Sequence, residues 1–153
     1  MKPITRFALE THDGPYETWP RRSRVLLDGR PTRISLPGYS LLHQFETSSG
    51  YVLVTDYDCP FDEITNFSLI SRQLRLQSCR WVGWPYDTFL LERLDWADER
   101  TFTAFFQGSL CCRFTIRSWG IPYLRPRLKL QLDRSLAPAE AAAAPPMESP
   151  AIR

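Results

Sequence analysis

The sequence predicts an all-β protein: an antiparallel, meander-like sandwich or barrel of nine to ten short strands. Three observations favour this class. Short runs of alternating apolar and polar residues recur along the chain, and turn residues separate them at intervals of about 8–12 residues. Aromatic residues make up 13% of the chain and there are 13 prolines, a composition that favours strands over long helices. No stretch keeps the i, i+3, i+4, i+7 spacing of apolar residues that an amphipathic helix requires.

Ten runs account for the strands, because successive side chains of a strand point to opposite faces of its sheet. They span residues 25–27, 32–36, 41–47, 51–57, 64–71, 73–81, 88–96, 101–107, 110–118 and 124–133. Asp28-Gly29 joins the first two runs, and this dipeptide favours the two-residue turn of a β-hairpin. Pro37-Gly38 and Ser48-Ser49-Gly50 supply the next two turns.

The chain divides into three parts. Residues 1–20 are predicted to be an irregular N-terminal segment, and residues 21–134 a single all-β domain. Residues 135–153 are predicted to be a disordered tail, since their alanine- and proline-rich composition offers too little apolar surface to offset the entropy of ordering. The expected core of the domain comprises Leu26, Leu53, Leu74, Leu76, Leu90, Leu94, Phe102, Phe106, Leu110, Phe114, Ile116, Leu128 and Leu130.

The N-terminus and the cysteines predict a cytoplasmic protein. Polar residues interrupt the first apolar run, so no secretory signal is expected, and no segment approaches the roughly 20 apolar residues of a membrane span. The cysteines Cys59, Cys79, Cys111 and Cys112 form no CxxC pair, so we expect free thiols and neither a zinc site nor another cofactor. Lysine occurs only at positions 2 and 129, an arginine bias that, with the alanine-rich tail, suggests a bacterial genome of high GC content.

The last two predicted strands form a basic surface. Each alternates apolar and polar residues, and the short segment between them predicts an antiparallel hairpin. Pro126 removes a ladder hydrogen-bond donor, which indicates that the second strand lies at the edge of its sheet. The polar faces of the two strands then merge into a basic hairpin face, formed by Arg113, Arg117, Arg125, Arg127 and Lys129.

Charge is segregated along the chain although the formal net charge is only +2. Residues 101–134 carry six basic groups and one acid, whereas residues 34–71 carry five acids and no lysine or arginine. Asp56 and Asp58 are expected on one side of a strand, about 7 Å apart. With Asp62 and Glu63 they form an acidic segment. Its spacing differs from that of an EF-hand loop, so a solvated turn is expected there rather than a metal site.

Trp81, Trp84 and Tyr86 form a candidate aromatic platform for bases or sugars, although such residues more often fill β cores. Catalytic motifs are missing: the sequence has no GxSxG elbow, no cysteine-protease motif and no glycine-rich phosphate loop. His43 lies on the apolar face of its strand and is expected to be a core residue. The sequence therefore predicts a protein that is not an enzyme.

The leading interpretation is a non-catalytic, cytoplasmic protein-binding or accessory protein, of the adaptor or immunity kind. It would dock another protein through its charged β surfaces, because complementary potentials steer association. The first alternative is a β-barrel that binds single-stranded nucleic acid, and the second is a β-sandwich that binds a small ligand or calcium. No membrane association is expected, and the oligomeric state stays open.

Overall fold

The computed structural model describes residues 1–58, 64–83, 90–121 and 124–132, and these residues form an all-β fold. They contain twelve strands: β1 (Lys2–Pro3), β2 (Phe7–Leu9), β3 (Arg22–Leu27), β4 (Arg30–Pro37), β5 (Ser40–Thr47), β6 (Gly50–Asp56), β7 (Thr65–Ile70), β8 (Leu76–Val82), β9 (Leu91–Trp96), β10 (Thr101–Phe106), β11 (Cys111–Ile116) and β12 (Leu128–Leu132). Two short 3₁₀ helices lie at Tyr16–Thr18 and Gln107–Ser109. Within the described ranges, no helix has the length and apolar character to cross a membrane.

The strands form three sheets in which every neighbouring pair is antiparallel. A five-stranded sheet has the order β1-β5-β6-β7-β8, a four-stranded sheet the order β12-β11-β10-β9, and a three-stranded sheet the order β2-β3-β4. Consecutive strands are neighbours almost throughout, as expected for a meander. The sheets are open and pack face to face, so the arrangement is a sandwich.

The larger core lies between the five-stranded and four-stranded sheets. Val52 and Val54 of β6 and Phe67 and Leu69 of β7 face inward from one side. The opposite side is supplied by β10, β11 and β12 and consists of Phe102, Ala104, Phe106, Cys112, Phe114, Ile116 and Leu128. Burying this much aromatic and aliphatic surface is the main stabilising contribution to the sandwich.

A second core lies on the other face of the five-stranded sheet. Tyr51, Leu53 and Ile70 point away from the larger core and pack against the three-stranded sheet. That sheet contributes Phe7, Val25, Ile34 and Leu36. Strands β6 and β7 are therefore covered on both faces, and the fold has three layers with the five-stranded sheet in the middle.

Local sequence explains the tight turns. Asp28 and Gly29 join β3 to β4 with φ values of 50° and 77°, as the type I′ turn requires, so the predicted hairpin is confirmed. The predicted pairing of the last two strands is also confirmed, because β11 and β12 pair antiparallel with Cys112 opposite Leu132 and Ile116 opposite Leu128. Strand β12 forms the edge of its sheet, as predicted, but it begins at Leu128 and Pro126 precedes it.

The structure departs from the sequence prediction in two places. The segment 1–20, predicted to be irregular, contains β1, β2 and a 3₁₀ helix. Leu76 and Leu90, expected in the core, are 38% and 46% exposed, and Val25 rather than Leu26 is fully buried in β3. In β3, regular alternation places Ser23 and Val25 on the buried face and Leu26 on the opposite face, whereas a register shift beside Leu76 interrupts the alternation in β8. The predicted tail 135–153 lies outside the described residues.

Candidate functional site

Three cavities surround the turn between β7 and β8, and Gln73 lines all of them. The first two have volumes of about 620 and 690 Å³ and lie between this turn and β4. The third, of about 350 Å³, lies on the other side of Gln73 against the β5–β6 turn and the start of β12. Together they form a long concave surface that crosses the edges of all three sheets.

The lining of these cavities is strongly basic. Seven arginines contribute to it, and we call them the arginine surface: Arg22, Arg30, Arg33, Arg72, Arg75, Arg100 and Arg127. Asp28 is the one acidic residue among the described residues that line the cavities, and it is paired with Arg6 at 2.6 Å. The Arg6 hydrogen bond lowers the pKa of the Asp28 carboxyl below its usual value. A concave surface with this charge attracts anionic groups.

Three of these arginines are held in place by the protein, and the first of them, Arg22, donates to the carbonyl oxygen of Ser35. Arg72 binds Glu46 at 2.9 Å and the carbonyl oxygen of Thr47 at 3.2 Å. Arg127 donates to Gln77 Oε1 at 2.5 Å and to the carbonyl oxygen of Arg117 at 3.1 Å. Arg33 and Arg75, in contrast, form no ion pair with any residue in the described ranges. Their guanidinium groups therefore keep their donors for an external anion.

The structure distributes the predicted basic hairpin face over several surroundings. Arg113 and Lys129 lie on the outward face of the four-stranded sheet, since Phe114 and Leu128 beside them face the core. The Arg125 guanidinium stacks 4.1 Å above the ring of Trp119. Arg127 turns toward Gln77 of β8 and joins the arginine surface, and its Nε donates to the carbonyl oxygen of Arg117, which lies beside it.

The acidic segment is arranged differently from the prediction. Strand β6 ends at Asp56, and Asp58 has a φ of 48°, so the two residues do not continue one strand. The N–H of Asp58 donates to Asp56 Oδ1 at 3.2 Å, which closes a local turn that competes with strand continuation. Burial raises the pKa of the Asp56 carboxyl above its usual value. Asp62 and Glu63 lie outside the described residues.

Of the predicted aromatic platform, the structure describes Trp81. It lies on β8 and is 57% exposed, so it does not fill the core. Trp84 and Tyr86 lie outside the described residues. His43 lies exposed on β5 and stacks on Phe45, so the prediction that it is a core residue is wrong. Partial burial lowers the pKa of its imidazole.

Among the residues that the structure describes, the cysteines show no metal-binding arrangement. Cys79, Cys111 and Cys112 form no disulfide with one another, and Cys59 lies outside the described residues. Burial raises the pKa of Cys112 to about 11, so its thiol stays protonated at neutral pH. In the described ranges, no three His, Cys, Asp or Glu side chains converge as a metal ion requires.

Sequence reasoning missed a second site, an aromatic pocket of about 280 Å³ at the N-terminal side of the fold. Its walls are His12, Tyr16, Trp19, Tyr39 and Tyr57, and Glu10 and Asp58 lie at the same cavity. The residues come from the segment after β2, the first 3₁₀ helix, the β4–β5 connection and the end of β6. The density of aromatic residues at positions 12–19 was the one available indication in the sequence.

Comparisons with protein-family models, with curated proteins and with solved structures find no match to this chain. The class that fold and site define is therefore a three-layer antiparallel β-sandwich with an arginine-lined concave surface and a separate aromatic pocket.

Proposed function

We propose that the protein is a non-catalytic binding protein that docks an acidic segment of a partner protein on the arginine surface. The observation that carries this proposal is the concentration of seven arginines around Gln73, with Asp28 as the one acid among the described lining residues. Guanidinium groups match carboxylates in geometry and charge, and they bind them in bidentate fashion. An accessory protein of the adaptor or immunity kind acts in this way, by occupying a surface of its partner.

The shape and apolar content of the surface favour a protein over a nucleic acid. Leu74 and Leu76 lie beside the arginines, and Leu76 is 38% exposed. Interfaces between proteins combine such aliphatic contacts with a charged rim. Single-stranded nucleic acid binds where aromatic rings stack on bases beside basic groups. No aromatic residue is found among the described residues that line the three cavities.

The free thiols agree with a reducing compartment. Cys79, Cys111 and Cys112 form no disulfide with one another in the described structure, as is usual for cytoplasmic proteins. We therefore include the cytoplasm in the proposal.

The experiment measures binding of two labelled probes by fluorescence anisotropy, a short poly-L-glutamate peptide and a single-stranded oligonucleotide of the same charge. We expect the peptide to bind more tightly, with an affinity that falls as salt is added, because the contacts are electrostatic. The double substitution Arg33→Glu with Arg75→Glu should weaken peptide binding by about tenfold or more.

The matched control is Arg113→Glu with Lys129→Glu, which changes the net charge by the same amount on the outward face of the four-stranded sheet. Peptide affinity should stay within about twofold of the unmodified protein. Equal losses in both double variants would mean that net charge alone acts, and the proposal would be wrong. Tighter binding of the oligonucleotide than of the peptide would favour the nucleic-acid alternative instead.

A photo-reactive amino acid at Gln73 then identifies the partner in cells, with the same amino acid at Glu92 of β9 as the control position. Glu92 is exposed and lines none of the three cavities. A cross-linked protein at position 73 that is missing at position 92, and missing in the Arg33→Glu, Arg75→Glu variant, supports the proposal. Cross-links at both positions to the same protein contradict it.

A further inference from the structure

The aromatic pocket has four rings arranged around Tyr39. Its ring lies edge-to-face against those of Tyr16, Trp19 and Tyr57, with centroids 5.5, 5.2 and 5.3 Å away. The interplanar angles are 85°, 87° and 79°, so ring faces meet nearly at right angles. His12 completes the group at 5.6 Å from Tyr39. The same five aromatic residues line one cavity of about 280 Å³, so a group bound there can contact several of them.

Polar atoms of three of these rings hold the pocket together. Trp19 Nε1 donates to the carbonyl oxygen of Gly14 at 3.1 Å, and Tyr57 Oη donates to that of Arg21 at 3.3 Å. Ser23 Oγ donates its one hydrogen to the carbonyl oxygen of Gly38 at 2.7 Å. Its contact of 2.8 Å with His12 Nε2 therefore uses a hydrogen of the imidazole, and His12 is the donor. Ser23 is fully buried, which anchors His12 firmly to the sandwich. These contacts preorganise the walls before any ligand arrives.

The described charged residues that line the pocket are acidic, whereas Arg21 and Arg22 lie near Tyr57 outside the lining. Glu10 and Asp58 are the charged residues among the described residues that line it, and neither lysine nor arginine is among them. Burial raises the pKa of the Tyr57 phenol above its usual value, so that ring stays neutral at physiological pH. Electron-rich ring faces with two carboxylates beside them form a site for a cation, because the ring quadrupole attracts positive charge.

The hydrogen-bond acceptors that the pocket offers determine which kind of cation it favours. A primary ammonium carries three N–H donors, and since the ring faces accept none of them, chiefly the carboxylates of Glu10 and Asp58 are left to replace its water. A trimethylammonium group carries no donor, so it loses no hydrogen bond on entering. The volume of about 280 Å³ lies just below the range typical of drug-sized ligands, and it suits a single headgroup or side chain.

We propose that the aromatic pocket binds a methylated ammonium group, whether this belongs to a small trimethylammonium compound or to a methylated lysine side chain of another protein. The site is separate from the arginine surface in charge and in lining residues. It adds a cation-binding function that does not depend on the docking proposed above.

The experiment is isothermal titration of the full chain with choline, with 3,3-dimethyl-1-butanol, and with a short peptide carrying trimethyl-lysine or unmodified lysine. The alcohol is the neutral isostere of choline, so it separates charge from shape. We expect choline to bind about tenfold or more tightly than the alcohol, since the cation–π attraction acts only on the charged group. The trimethyl-lysine peptide should likewise exceed the unmodified peptide by about tenfold.

Two variants locate the binding. Trp19→Leu keeps apolar bulk but removes one π face, and Asp58→Asn removes one charge at a position where asparagine tolerates the positive φ of 48°. Both should weaken binding of the trimethylated probes severalfold. Glu17→Gln is the matched control for Asp58→Asn, because Glu17 is exposed and does not line the pocket. It should leave binding unchanged.

If choline and the trimethyl-lysine peptide both bind, the trimethylammonium group alone is sufficient as the ligand. If the trimethyl-lysine peptide binds and choline does not, the ligand is a methylated protein. The proposal is overturned if neither trimethylated probe binds. It is also overturned if the neutral alcohol matches choline, or if the unmodified lysine peptide matches its methylated form. A melting curve shows whether Trp19→Leu is still folded. If it is not, the proposal is tested by Asp58→Asn alone, and unchanged binding of the trimethylated probes in that variant overturns it.

Discussion

Phe67 of β7 and Phe114 of β11 pack across the two larger sheets with ring centroids 4.2 Å apart. Phe114 also stacks on Phe102 of the neighbouring strand at 4.8 Å, with an interplanar angle of only 7°. All three rings are fully buried. They form the centre of the contact that joins the four-stranded sheet to the rest of the protein.

Phe114→Ala should therefore lower the free energy of unfolding by about 3–5 kcal/mol, because it leaves a cavity between two sheets. Phe114→Leu should have a smaller effect, about 1–2 kcal/mol, since most of the volume is kept. Urea denaturation measures both. Leu124→Ala is the control, because Leu124 is 85% exposed and its removal should change stability by less than about 0.5 kcal/mol. A comparable effect at both positions would contradict the sandwich packing described above.

A side chain at position 50 has no room. Gly50 has a φ of 128°, and a Cβ there would overlap the carbonyl oxygen of Ile70 on the neighbouring strand. Gly50→Ala should destabilise the protein by more than about 3 kcal/mol, since both the backbone conformation and the close approach oppose it. Gly29→Ala is the comparison, because its φ is 77° but no atom lies within 4 Å of the added Cβ. We expect it to cost only about 1–2 kcal/mol in thermal or urea unfolding. Equal losses would show that the approach to Ile70 does not matter.

The buried Cys112 thiol makes stability depend on alkaline pH. Its pKa is about 11 in the folded protein against the ordinary value of 9.0, so the unfolded chain loses this proton first. The unfolded state then binds fewer protons, and the free energy of unfolding falls as pH rises from 9 toward 11. We expect a loss of roughly 2 kcal/mol from this group.

Cys112→Val keeps a small apolar side chain and removes the titration, so the difference in stability between the two proteins should change over that pH range. Urea denaturation at a series of pH values measures it. A constant difference would mean that the thiol ionises equally in both states. Alkylation of the native protein gives a second check, since the exposed part of Cys79 should react well before the fully buried Cys112.

The parts of the fold that follow from sequence are those in which one strand face is buried and the other is solvated. β11 shows this directly, because Cys112, Phe114 and Ile116 are buried whereas Arg113, on the opposite face, is exposed. β7 lies within the predicted run 64–71 but lacks this alternation, because all six of its residues are buried, including Asn66 and Ser68. A strand covered on both faces loses the alternation from which strands are recognised. β1 and β2 span only two and three residues, too few to show any period.

The two candidate sites were beyond the reach of sequence for a related reason. The arginine surface joins residues as distant as Arg22 and Arg127, and a charge count along the chain registers only clusters that are local. The aromatic pocket depends on Tyr39 and Tyr57 meeting Trp19 after the N-terminal segment folds back on the sandwich. The predicted hairpin contributed Arg127 to the arginine surface, and the remaining arginines there came from other strands and turns.

The sharing of β6 and β7 between two cores makes the three layers one cooperative unit. Leu53 belongs to one core while Val52 and Val54, its immediate neighbours, belong to the other. Neither outer sheet can detach without exposing one face of the same two strands to water. A ligand that binds at the three-stranded side therefore stabilises the four-stranded side as well. Binding at either site raises the free energy of unfolding of the whole sandwich.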